Sequence, residues 1–239
     1  MSLTLTEGKQ VAKAELDLIP IPKETDTYKP ISHYQLTDLI LTVSQDVLKD
    51  YVLVGENYGL ARRGNQLFAC LNFKGESSEM ALSIAYRNSY DKSMTFGMAF
   101  GAQVYICENL CLTGDIVVMR KHTKSIMETL EDTVIANIFK AQKHYQKVIV
   151  DSQRMKSIAM DNRSAFQMMG LLFGHEIVGP RQLTVLRDHW LRPTHSDFQA
   201  RNSWSFLKAK TEALKSCPPN LAIEKHLRAY HRVLDFQPV

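Results

Sequence analysis

Residues 115–169 read DIVVMRKHTKSIMETLEDTVIANIFKAQKHYQKVIVDSQRMKSIAMDNRSAFQMM, 55 residues with neither glycine nor proline. No stretch of the chain runs longer without a breaker, so it predicts a long helix. Ile126, Leu130, Val134, Ile138, Ala141, Tyr145, Val148 and Met155 mostly step by three or four, placing an apolar seam along one side. At 1.5 Å per residue the seam runs about 60 Å. A seam of that length has more apolar surface than a small sheet can cover, and self-association into a homo-oligomer is the expectation.

Upstream the signals change to strands. Tyr51–Val54 and Tyr58–Arg62 precede Arg63-Gly64-Asn65, a link suited to a β-hairpin, and Gln66–Phe73 follows it. Leu67, Ala69, Leu71 and Phe73 alternate with Phe68, Cys70 and Asn72, so both faces of this strand are expected to be covered. Met80–Tyr86 supplies a third strand. Gln103–Cys107 and Leu110–Leu112 supply a further pair around Glu108-Asn109. Before the strands, Leu36, Leu39, Ile40, Val43 and Val47 mark an amphipathic helix between His33 and Asp50.

The two ends complete the organisation. Residues 1–30 hold Pro20, Pro22 and Pro30 and predict an extended arm whose first dozen residues are mobile. Pro180 begins a helix with Leu183, Leu186 and Trp190. Asn202 or Ser203 caps another with Trp204, Leu207, Thr211 and Leu214 on one side, ended by Cys217-Pro218-Pro219. A last helix from about Asn220 to Leu234 turns Ile223, Leu227, Tyr230 and Leu234 inward. The expected fold is α+β: a small antiparallel sheet with an N-terminal helix, then a long helix and a helical C-terminal lobe. Its parts are an arm (1–30), an α+β core (31–170) and the helical lobe (171–239).

Bulk composition fits a folded chain. At 239 residues, 45% hydrophobic and 23% charged, there is enough apolar material for one large core, and no sign of disorder. No run approaches the roughly 18 apolar residues of a membrane span, and MSLTLTEGKQ is unlike a secretory leader, so no membrane association and a cytoplasmic location are expected. The net charge of +4 permits an acidic partner.

Known catalytic patterns are missing. Eight histidines sit in no nucleophile elbow or His-Glu-x-x-His array, and Asp91, Ser93 and His122 form a triad only by assertion. Gly97-Met98-Ala99-Phe100-Gly101 lacks phosphate-loop spacing. Cys70, Cys107 and Cys111 with His122 lack the paired spacing of a zinc site, so these cysteines are expected to be buried, reduced thiols. The expectation is a protein without enzymatic activity, metal or cofactor.

Two features point to binding. The run Arg87-Asn88-Ser89-Tyr90-Asp91-Lys92-Ser93 leaves a strand carrying a cation at each end; Arg87 and Lys92 suit a phosphate, with Asn88, Ser89 and Ser93 as hydrogen-bond donors. Its structural alternative is an Asx-type turn that caps a following helix, with Arg87 paired to Asp91. Basic residues also cluster at Arg120-Lys121-His122-Thr123-Lys124, and as Lys140, Lys143, Lys147 and Arg154 at helical spacing. The latter is either a solvated helix face or a track for a phosphate backbone. Tyr90, Phe68 and Tyr86 are candidates for stacking on bases.

Several of these segments, in order, resemble the phage- and plasmid-borne family called domain of unknown function 932. The resemblance lies in Pro30-Ile31-Ser32-His33, Arg87–Ser93, Gly101–Leu110, Gly114, Arg120-Lys121-His122-Thr123, Asn202-Ser203-Trp204 and Lys210-Thr211-Glu212. Tyr90 stands where the family usually has histidine and Glu108 where aspartate is common. The resemblance implies a mobile-element origin and brings no established activity. The order of elements is also similar in outline to a Rad52-like annealing fold. The resulting expectation is a nucleic-acid-binding accessory protein, a single-strand DNA binding or annealing factor; the alternative is a protein that binds and occludes a host defence factor.

Overall fold

The computed structural model describes residues 9–104, 110–120, 122–195, 198–217 and 219–236. Six strands, β1 (Lys9–Val11), β2 (Val52–Ala61), β3 (Gln66–Lys74), β4 (Met80–Ser89), β5 (Phe96–Val104) and β6 (Leu110–Arg120), form one sheet in the order β1-β2-β3-β4-β5-β6. Each pairs antiparallel with its neighbour in sequence. Tyr51–Val54 and Tyr58–Arg62, read as two strands, belong to the single strand β2, irregular between Leu53 and Gly55. The expected hairpin turns at Arg63, whose φ of 57° and ψ of 37° put it in the left-handed region next to Gly64.

The α+β class and element order match expectation, but the sheet is larger. The segment after Ser93 is not a helix. It is β5, where Phe96, Met98, Phe100 and Ala102 alternate with Gly97, Ala99 and Gly101. The large set enters the main core with Leu67, Leu71, Phe73, Leu82, Ile84 and Tyr86. Phe68, Cys70, Ala85, Ala99 and Leu112 face the other way and form a second core with Ile223 and Leu227. The sheet is therefore covered on both faces.

On the main-core side lie α1 (His33–Val47), α2 (Lys124–Ile138) and α3 (Ala141–Ser157). Ser32 caps α1, its hydroxyl accepting from the Gln35 amide at 3.2 Å. The long helix is realised as α2 and α3, bent at Phe139 and Lys140. There the Lys140 amide reaches Asn137 O, three residues back, at 2.9 Å, and the tighter turn changes the helix direction. The 55-residue stretch thus holds the second half of β6, both helices, and the start of α4 (Asn162–Gly174). Asp161 begins α4 by accepting from the Ser164 amide at 2.8 Å. The seam is used within the chain: Val134, Ile138, Ala141, Tyr145, Val148 and Met155 are fully buried.

The C-terminal lobe continues with α5 (Pro180–Leu191), α6 (Ser203–Leu214) and α7 (Pro219–Leu234), close to the expected bounds. Pro180 opens α5, and Asn202 caps α6 through the Ser205 amide at 2.9 Å. The second face of the sheet takes the first half of α7, while Tyr230 and Val233 from its second half enter the main core. The arm is anchored at two places: β1 adds to the sheet, and Leu16 is buried in a 3-10 turn over Lys13–Leu18. Residues 1–8 lie outside the described residues. Among the described residues no helix is long and apolar enough to cross a membrane.

Candidate functional site

The polar run begins inside β4, where alternation sends its side chains to opposite faces. Arg87 points toward α7 and donates two hydrogen bonds to Glu224, 2.9 and 2.8 Å long. It does not pair with Asp91, which lies 3.6 Å from Arg62 instead. Asn88 points toward α1 and is fully buried, as is Ser89, whose hydroxyl donates to Met94 O at 2.9 Å. Three of the expected phosphate-contacting residues are thus structural. The turn beyond them is of the Asx type, Asp91 Oδ1 accepting from the Ser93 amide at 3.0 Å.

Asn88 is the centre of a buried network in which the protons of its amide and of two imidazoles follow from their partners. Its Nδ2 lies 2.7 Å from Ile31 O, a group that only accepts, which fixes the amide's orientation. The second Nδ2 proton goes to His33 Nδ1 at 2.9 Å. His33 Nε2, 3.0 Å from Gly64 O, therefore carries the proton of that ring. Asn88 Oδ1 accepts from His122 Nε2 at 2.6 Å, which leaves His122 Nδ1 as a bare lone pair. Burial pushes both imidazoles down to about 4, so both are neutral at physiological pH.

Two tyrosines close the network. The Tyr90 hydroxyl accepts from the His33 amide at 2.8 Å, and its ring stacks on that imidazole at 3.9 Å between centroids. The Tyr28 hydroxyl lies 3.2 and 3.1 Å from Ser89 O and Tyr90 O, and the Lys29 amide holds His122 O at 3.0 Å. Segments distant in sequence, Tyr28–His33, Asn88–Ser93 and His122-Thr123, so converge at one end of the sheet.

Outside the network lies an open cleft of about 310 Å³ lined by Thr27, Tyr28, Lys92, Ser93, Met94, Thr95, His122 and Thr123. Lys92 is exposed, its backbone at φ 60°, and its ammonium sits 4.7 Å over the Tyr28 ring. Thr123, in the cleft wall, is the N-cap of α2, so the first turn of that helix begins beside the cleft. Arg120 ends β6 opposite Phe96. Lys121 lies outside the described residues.

Lys140, Lys143 and Lys147 stand elsewhere, at the bend and along α3, separated from the cleft by the length of α2, about 22 Å. All three are exposed, as is Arg154. At about 100° per residue the four fall within an arc of about 60° and span about 20 Å. The only carboxylate on α3, Asp151, is buried and accepts from the Tyr230 hydroxyl at 2.7 Å.

Phe68, Tyr86 and Tyr90 are buried, so the expected stacking on bases is not open to them. Cys70 is a buried thiol pushed up to about 12 by desolvation; Cys107 lies outside the described residues. No group of three or more potential ligands suited to a metal occurs among the described residues. Sequence reasoning misses Tyr28, His33 and Thr95 as site residues; of the three, only His33 lies in a segment that carries the family resemblance, Pro30–His33. Comparison with protein-family models, curated proteins and solved structures finds no match to the chain.

Proposed function

We propose that the protein is a nucleic-acid-binding accessory factor, of the phage or plasmid kind implied by the family resemblance, that holds single strands by their phosphates. The observation that carries this reading is the solvent face of α3. It presents Lys140, Lys143, Lys147 and Arg154 with no exposed carboxylate between them. A helix face that is merely solvated usually mixes signs in i,i+4 pairs; a one-sign row concentrates potential and attracts a polyanion. Within about 20 Å, one strand of B-form DNA presents about six phosphates. With the candidate aromatics buried, contact through phosphates leaves bases free to pair with a second strand, as annealing requires.

The test is equilibrium binding of a fluorescent single-stranded oligonucleotide across a salt series. Affinity that falls steeply as salt rises supports the reading; no binding at about 50 mM salt, where screening is weakest, removes it.

A protein partner, either a second copy of the chain or a host factor, is favoured by one other observation. Phe166, Leu171 and Phe173 on α4 are each 45% exposed. Light scattering over a concentration series tests the homo-oligomer, and a constant monomer mass rejects it.

A further inference from the structure

Among the groups around the cleft, His122 is the one whose chemistry is fixed yet unused. It is 5% exposed and forms part of the cleft wall, with Nε2 committed to Asn88 Oδ1 at 2.6 Å. Among the described residues Nδ1 has no hydrogen-bond partner. The chain of donors behind it is anchored at Ile31 O and Gly64 O, neither of which can donate, so the tautomer cannot invert without breaking the network. His122 therefore presents a permanent acceptor. A phosphodiester has no proton to give it.

Beside this acceptor stand groups of the opposite character. Lys92 is held over Tyr28 by a backbone conformation unfavourable for a side chain with a Cβ, and among the described residues no carboxylate pairs with its ammonium. The nearest acid in sequence, Asp91, is engaged by Arg62, Gln66 and Ser93. The first turn of α2 adds amides and the positive end of its dipole. A ligand that satisfies both halves carries an anionic group and, within one small molecule's length, an N–H or O–H donor. The cleft's volume of about 310 Å³ is at the lower end for small-molecule sites.

We propose that this cleft is a nucleotide subsite, in which Lys92 and the α2 N-terminus take a phosphate while His122 Nδ1 accepts a hydrogen bond from the sugar or base. The choice of a nucleotide rests on the nucleic-acid reading. The contact is separate from the α3 row.

The experiment uses the full chain labelled with ¹⁵N-histidine and two probes, adenosine 5′-monophosphate and inorganic phosphate. Before addition, His122 should show a neutral ring with its proton on Nε2. The nucleotide should shift the His122 Nδ1 resonance, with inorganic phosphate shifting it far less. Lys92→Met, at an exposed position, should weaken nucleotide binding at least tenfold. The proposal is overturned if His122 carries its proton on Nδ1, if the nucleotide leaves its resonances unmoved, or if phosphate alone moves Nδ1 equally. Oligonucleotide binding without nucleotide binding also removes the subsite and spares the α3 reading. Nucleotide binding without oligonucleotide binding does the reverse.

Discussion

Arg87 and Glu224, 137 residues apart, meet in a bidentate pair that joins β4 to α7. The guanidinium is 3% exposed and the carboxylate 29%, so the pair is sheltered on the sheet side and open toward the helix. It fastens α7 at the edge of the second core, where Ile223 and Leu227 supply the apolar contact.

Removing one partner should therefore cost more than removing both. Glu224→Ala strands a nearly buried cation and should lower stability by about 3 kcal/mol, whereas Arg87→Met with Glu224→Leu should recover most of that loss. Urea unfolding followed by tryptophan fluorescence measures both. Equal losses in the single and double variants would show that the pair is not what holds the helix.

Replacing Lys140, Lys143 and Lys147 together with glutamine should flatten the salt dependence of single-strand binding by about two log units per log unit of salt, at about 0.7 per phosphate contact. Stability should hardly change, because all three are exposed. An unchanged slope would take these lysines out of the interface.

Acid should loosen the fold in two separate windows. His33 and His122 sit at about 4 when folded, below the ordinary 6.5 of an unfolded histidine. The unfolded chain thus binds more protons between those values, and stability falls as pH drops from 6.5 toward 4, by up to about 3 kcal/mol per imidazole. Asp91 and Asp161, lowered from 3.8, contribute stability that is lost only further down. Denaturant midpoints flat from pH 7 to 4.5 would contradict the buried network.

Cys70 should resist thiol reagents at pH 8, since burial raises it to about 12 and removes the reactive thiolate; Cys217, raised to about 11, should behave alike. Alkylation mapped by mass spectrometry, native against urea-unfolded, reads this directly. Rapid native labelling of Cys70 would show that the second face of the sheet opens.

The helices were legible where their starts carry chemistry, as at Pro180 and Asn202, and in α1 where apolar spacing marks one face. Strand β5 was not, for a physical reason. Its alternation is large against small, Phe96, Met98 and Phe100 against Gly97, Ala99 and Gly101, because both sides are covered, so no polar face marks the period. The absence of glycine and proline over 115–169 does not make one helix, because the end of β6 lies within it and Thr123 and Asp161 start helices without either residue. The cation row on α3 was visible as a spacing. The Asn88 network was not, since nothing local to His33 or His122 announces that two side chains 89 positions apart meet at one amide.

The order of the meander sets a timetable for synthesis. Every strand pairs with the one made just before or after it, and from β2 to β6 the links are short, so this part of the sheet can assemble as the chain emerges, while the helix that seals Phe68, Cys70 and Ala99 comes last. For the interval in which residues 121–218 are being translated, roughly 5 to 20 s at 5 to 20 residues per second, the nascent sheet carries an uncovered apolar face. In that interval a chaperone, or a neighbouring chain on the same message, competes with α7 for it.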